Sequence, residues 1–140
     1  MMTLQKLKAA HRNAERREGY WFDEYDNALH TFCIPLMNGN MFNLYLACKA
    51  DYDHGRSVAD AVEAGKFTVY EEEYPEDGVF KVCTRHAIAR LRLIERKLKE
   101  WQDKYYYLDC ALDECWDESK GISALSDETK RDLAAVGITV

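Results

Sequence analysis

The sequence predicts an α+β domain in which one or two antiparallel β-hairpins pack with a long helix in the C-terminal half and with shorter flanking helices. Three observations carry that prediction. An apolar repeat at helical spacing runs from Leu91 to Cys115. Asn38-Gly39 and the segment YPEDG each separate two runs of β-favouring residues. A hydroxyl residue before and a glycine after frame two shorter helical segments. With 140 residues, 47% of them hydrophobic, the chain is the size of one ordinary domain spanning residues 1–140 and can bury a core without staples.

In chain order, TLQKLKAAHRNAERREG places Leu4, Leu7, His11 and Ala14 on one face with Lys and Arg around them, a basic amphipathic helix that Gly19 is expected to end. The aromatic cluster Tyr20, Trp21, Phe22 and Tyr25 follows among acidic residues. LHTFCIPLM, from Leu29 to Met37, reads as extended, and Asn38-Gly39 turns it towards MFNLYLAC to give a hairpin. Residues 41–54 also admit a helix capped by Asn40, because Leu44, Cys48 and Tyr52 share a helical face. Ser57 caps a short helix, VADAVEA, that Gly65 closes. FTVYEEE and VFKVCT pair across YPEDG as a second hairpin. Thr84 caps the long helix, expected to stop at Gly121, and Ser126 opens a last helix ending near Gly137.

The long helix carries the functional expectation. Leu91, Ile94, Leu98, Trp101, Tyr105, Leu108, Leu112 and Cys115 form four heptads of coiled-coil-like seam, which either packs in the core of one chain or joins two. Arg85 to Lys104 holds seven basic and three acidic residues, whereas Tyr105 to Ser119 holds five acidic and no basic ones. That polarity opposes the helix macrodipole at both ends, so contact with an oppositely charged neighbour is expected to offset it. The expectation is antiparallel self-association into a homodimer through this seam, alone or with the basic first helix beside the acidic end.

Net charge and aromatic content point to a protein partner. At −6, the chain as a whole is repelled by phosphate backbones and anionic lipid, which ranks nucleic acid below protein. A local nucleic-acid contact through the first helix and the Arg85–Lys104 face is the third reading. Glu71, Glu72, Glu73, Glu76 and Asp77 cluster at the second turn, and Tyr106, Tyr107 and Trp116 offer large, rotamer-poor contact area. Together they suggest a non-enzymatic binding module or inhibitor that occupies the basic surface of a partner, as a phage or mobile-element accessory protein would.

The competing reading is an enzyme or zinc-dependent domain built on His30, Cys33, Cys83 and His86, two mirrored His/Cys pairs at metal-ligand spacing. Cys83, just before a helix N-terminus with His86 nearby, is the nucleophile of that reading. Against it, strand residues three apart face opposite sides. The chain has no phosphate-binding glycine loop, nucleophile elbow, HExxH or paired CxxC. Asp51, Asp53 and His54 in ADYDHG read as a polar loop. No catalytic residue, metal or cofactor is therefore assigned. Five cysteines, an odd number, and an unremarkable N-terminus suggest a reducing cytoplasm, and no apolar run reaches the ~18 residues that a membrane span needs.

Overall fold

The structure, a computed structural model, describes residues 1–37, 39–68 and 81–140. It is α+β. Two long helices, α1 (Leu4–Thr31) and α5 (Arg85–Glu114), accompany a small sheet of β1 (Phe32–Pro35), β2 (Met41–Asn43) and β3 (Lys81–Val82). The shorter helices are α2 (Leu44–Ala47), α3 (Lys49–Asp53), α4 (Val58–Ala64) and α6 (Asp127–Ala135), with a 3-10 turn at Gly121–Ala124. Contacts gather into two compact units, Met1–Trp21 with Lys97–Val140, and Phe22–Arg96, so each long helix contributes to both.

In the unit formed by the chain ends, the first turns of α1 run against the last turns of α5. Leu7, Ala14, Leu108, Ala111, Cys115, Leu125 and Leu133 are buried together, with Trp101, Tyr105, Tyr107 and Leu112 packed around them. Ala14 and Ala111 are the small members of this cluster. α5 ends at Glu114, short of the expected Gly121. Beyond it the Asp117 carboxylate accepts from the Ser119 backbone N–H (3.0 Å) and hydroxyl (2.6 Å), a local turn that competes with continued helix.

The freed end of α5 caps the next helix. Ser126 Oγ accepts the Thr129 N–H at 3.1 Å, and Glu114 accepts the Ser126 hydroxyl at 2.9 Å. Hydrogen bonds from Thr129 and Ser126 hold the Glu114 carboxyl below its ordinary range. Ser126→Ala should therefore lower stability by about 1 kcal/mol in denaturant titration. Because the folded-state pKa of Glu114 is depressed, its contribution is full above the unfolded value of about 4.3 and disappears as pH falls through the folded one. The stability gap between the wild type and Glu114→Gln should accordingly close on acidification.

In the central unit, α1 does not stop at Gly19 but continues to Thr31. The buried stripe explains why: Tyr25, Ala28 and Leu29 extend the spacing set by Leu7 and Ala14, which outweighs the roughly 1 kcal/mol that glycine costs inside a helix. Leu29, His30 and Thr31 consequently belong to the helix, and the strand begins only at Phe32. β1 and β2 form the expected antiparallel hairpin, with Cys33 opposite Asn43, Ile34 opposite Phe42 and Pro35 opposite Met41. Gly39, at φ 84°, supplies the left-handed residue that the turn requires.

Both readings of residues 41–54 hold in part. The strand ends at Asn43, whose side chain accepts the Leu46 N–H at 2.8 Å, so the helical cap lies there and not at Asn40. The Ser57 cap, the helix Val58–Ala64 and the left-handed Gly65 are as expected. Thr84 Oγ1 likewise accepts the Ala87 N–H at 3.3 Å to open α5. Of the second hairpin, residues 69–80 lie outside the described residues. Its described ends have other partners: Lys81–Val82 joins β1 in parallel, giving the order β2-β1-β3, and Thr68 bridges Cys48.

Candidate functional site

The reversed polarity of α5 finds its complement inside the chain. α1 has a similar pattern, with Lys6, Lys8, Arg12, Arg16 and Arg17 against Glu15 in its first half, and Glu18, Asp23, Glu24 and Asp26 with no Lys or Arg in its second. In the terminal unit, basic α1 meets the acidic end of the α5 region: Lys8 pairs with Glu118 at 2.8 Å, and His11 contacts Asp109 at 3.0 Å while stacking on Tyr105 at 4.9 Å. In the central unit the signs exchange, and Glu24 of α1 pairs with Arg90 of α5 at 3.3 Å. Arg92 is held by Asp60 and Glu63 of α4. Glu95 accepts the Ala59 N–H at 2.9 Å.

The seam itself is enclosed. Leu91, Ile94, Leu98, Leu108 and Cys115 are buried, and Trp101, Tyr105 and Leu112 are half-buried. Self-association through this stripe would have to use the half-buried Trp101, Tyr105 and Leu112.

The opposite side of α5 is open. Helical spacing turns Tyr106, Asp109 and Asp113 away from the face that buries Leu108, Ala111 and Cys115, and all three are exposed, Tyr106 by 63%. The Cys110 thiol one turn on, by hydrogen bonding and by charge, raises the Tyr106 phenol above its ordinary range, and Asp132 of α6 adds to the shift. Just past the helix, Trp116 is 81% exposed beside Asp117 and Glu118. Tyr107 differs, half-buried against the core and edge-on to Tyr106 at 5.4 Å. Glu71, Glu72, Glu73, Glu76 and Asp77 lie outside the described residues.

A second outward face escaped the sequence reading. On α1 of the same unit, Arg12, Arg16 and Tyr20 are exposed at successive turns, Tyr20 by 50%. The signal was available: once Leu7 and Ala14 define the inner side, positions 12, 16 and 20 follow as the outer one.

The cysteine and histidine reading fares differently. The Cys83 N–H donates to the Cys33 carbonyl at 2.8 Å, which makes these residues neighbours on adjacent strands. Their histidines do not converge with them: His30 stacks on Tyr45 at 4.7 Å with Nδ1 2.8 Å from the Asp26 carbonyl, and His86 is exposed on α5. Among the described residues, no three His, Cys, Asp or Glu side chains are grouped to hold a metal ion. Burial raises the Cys33 and Cys83 thiols and pushes Cys48 up to about 12, opposite to what a thiolate nucleophile requires. Asp51 and Asp53 lie on α3, not in a loop, paired with Arg56 at 2.9 Å and Lys49 at 2.7 Å. An open cavity of about 330 Å³ is lined by Glu100, Asp103 and Lys104, which are paired along α5, and by Ala135 and Val136.

Among the described residues, no helix is long and apolar enough to cross a membrane. In comparisons with known proteins, the chain matches no family model, no curated protein and no solved structure.

Proposed function

We propose that this chain is a non-enzymatic protein-binding module whose contact face is the outward side of the end of α5, with Tyr106 and Trp116 as anchors. The observation that carries the reading is the exposure of these two large aromatics, 63% and 81%, in a stretch of chain that also carries Asp109, Asp113, Asp117 and Glu118, the last paired with Lys8. Exposed Trp and Tyr match the composition of binding hot spots, in which a few such residues supply most of the affinity. The carboxylates select a basic partner and repel nucleic acid. Occupying such a partner's basic surface is also how an inhibitor of this kind would act.

Fluorescence anisotropy with a labelled lysine- and arginine-rich helical peptide as the probe tests the reading. The wild type should bind in a salt-sensitive manner. Tyr106→Ala and Trp116→Ala should each weaken binding by about 30-fold, the equivalent of about 2 kcal/mol per hot-spot residue. Failure of the wild type to bind, or unchanged binding by both variants, would remove this face from consideration.

A further inference from the structure

We infer that the basic partner of this face is the first helix of a second copy of the chain. The inference rests on the binding-face reading above and supplies its occupant. Two outward stripes of the terminal unit carry opposite charge and the same grammar of two ions and one tyrosine. Arg12, Arg16 and Tyr20 follow one another at steps of four on α1. Tyr106, Asp109 and Asp113 follow at steps of three and four on α5. At 1.5 Å per residue both stripes are about 10 to 12 Å long. Laid antiparallel, they place Arg12 against Asp113, Arg16 against Asp109 and Tyr20 against Tyr106.

The arrangement repeats, between copies, the antiparallel basic-on-acidic contact that the chain already makes internally through Lys8–Glu118 and His11–Asp109. The groups involved are available. Arg16 is exposed and donates to the Asn13 side chain at 3.0 Å, and the Asp109 side chain, although in contact with His11, is 55% exposed. A parallel docking would set Tyr20 against Asp113 and Arg12 against Tyr106, losing one charge match and the ring pair, so charge selects the antiparallel register. Individual exposed ion pairs contribute little, which makes the association transient and salt-dependent, with the two tyrosines at its dry end.

Sedimentation velocity of the full chain over a wide concentration range, at low and high salt, tests the inference. The wild type should show a sedimentation coefficient that rises with concentration at low salt and less at high salt. Arg12→Glu/Arg16→Glu and Asp109→Lys/Asp113→Lys should each associate at least about tenfold more weakly. An equimolar mixture of the two should regain association, because the reversed stripes match each other. Far-ultraviolet circular dichroism identifies variants that fail to fold, and Arg12→Glu with Asp113→Lys, which leaves the His11 contact intact, is the reserve pair. A wild type that stays monomeric throughout, or a mixture no better than its components, would overturn the inference. A monomeric wild type that still binds the basic peptide would sink self-recognition alone and leave the binding face standing; loss of both would remove both.

Discussion

Leu108→Ala is expected to lower the stability of the protein by about 3 kcal/mol, read as a fall in the urea midpoint at unchanged slope. Leu108 is 1% exposed and lies among Leu7, Leu125 and Leu133, with Ala14 and Ala111 in the same cluster. Those alanines have little side chain with which to fill the space left behind. The loss then includes both the transfer free energy of the removed methyl groups and a residual cavity. Tyr106→Ala, two residues earlier but on the outward side, should stay within about 0.5 kcal/mol of the wild type. Equal effects at the two positions would mean that the inner and outer sides of α5 are wrongly assigned.

Phe42→Ala should be the more damaging substitution, at about 4 kcal/mol. Phe42 is 2% exposed and is among the largest fully buried side chains among the described residues. It stands opposite Ile34 in the hairpin. The sheet is small, and β2 contributes three residues to it, so the loss of one aromatic side chain removes much of what orders that strand. Phe42→Leu retains most of the volume and should cost less than about 1.5 kcal/mol. Thermal unfolding followed by near-ultraviolet circular dichroism would rank the two variants, and a leucine variant as damaged as the alanine one would contradict this account.

The elements that the sequence foretold are those with their own local chemistry. Ser57 and Gly65 bracket α4, and Ser126 opens α6, because a hydroxyl acceptor before a helix and a left-handed residue after it act within one turn. Asn38-Gly39 marked the first hairpin for the same reason. The errors arose where distant packing overrode a local cue. Gly19 looked like a terminator, yet Tyr25 and Ala28 continue the inner stripe beyond it. Gly121 looked like the end of α5, but the Asp117 turn intervenes first. For the candidate site, the exposed Tyr106 and the half-buried Tyr107 could not be told apart in the sequence, since consecutive tyrosines on a helix are separated only by knowing the phase of the core. Arg12, Arg16 and Tyr20 were overlooked because they read as filler around an apolar face.

The like-polarised helices also bear on how the chain avoids folding wrongly. Were α1 to lie parallel to α5 along their full lengths, the basic starts of the two helices would meet each other, and so would their acidic ends. Apolar stripes tolerate such inversions, since leucine has no sense of direction. Coulombic mismatch does not tolerate them, and it acts at long range, before side chains interlock. High salt, which screens that mismatch, should therefore slow productive folding more than it weakens the finished structure.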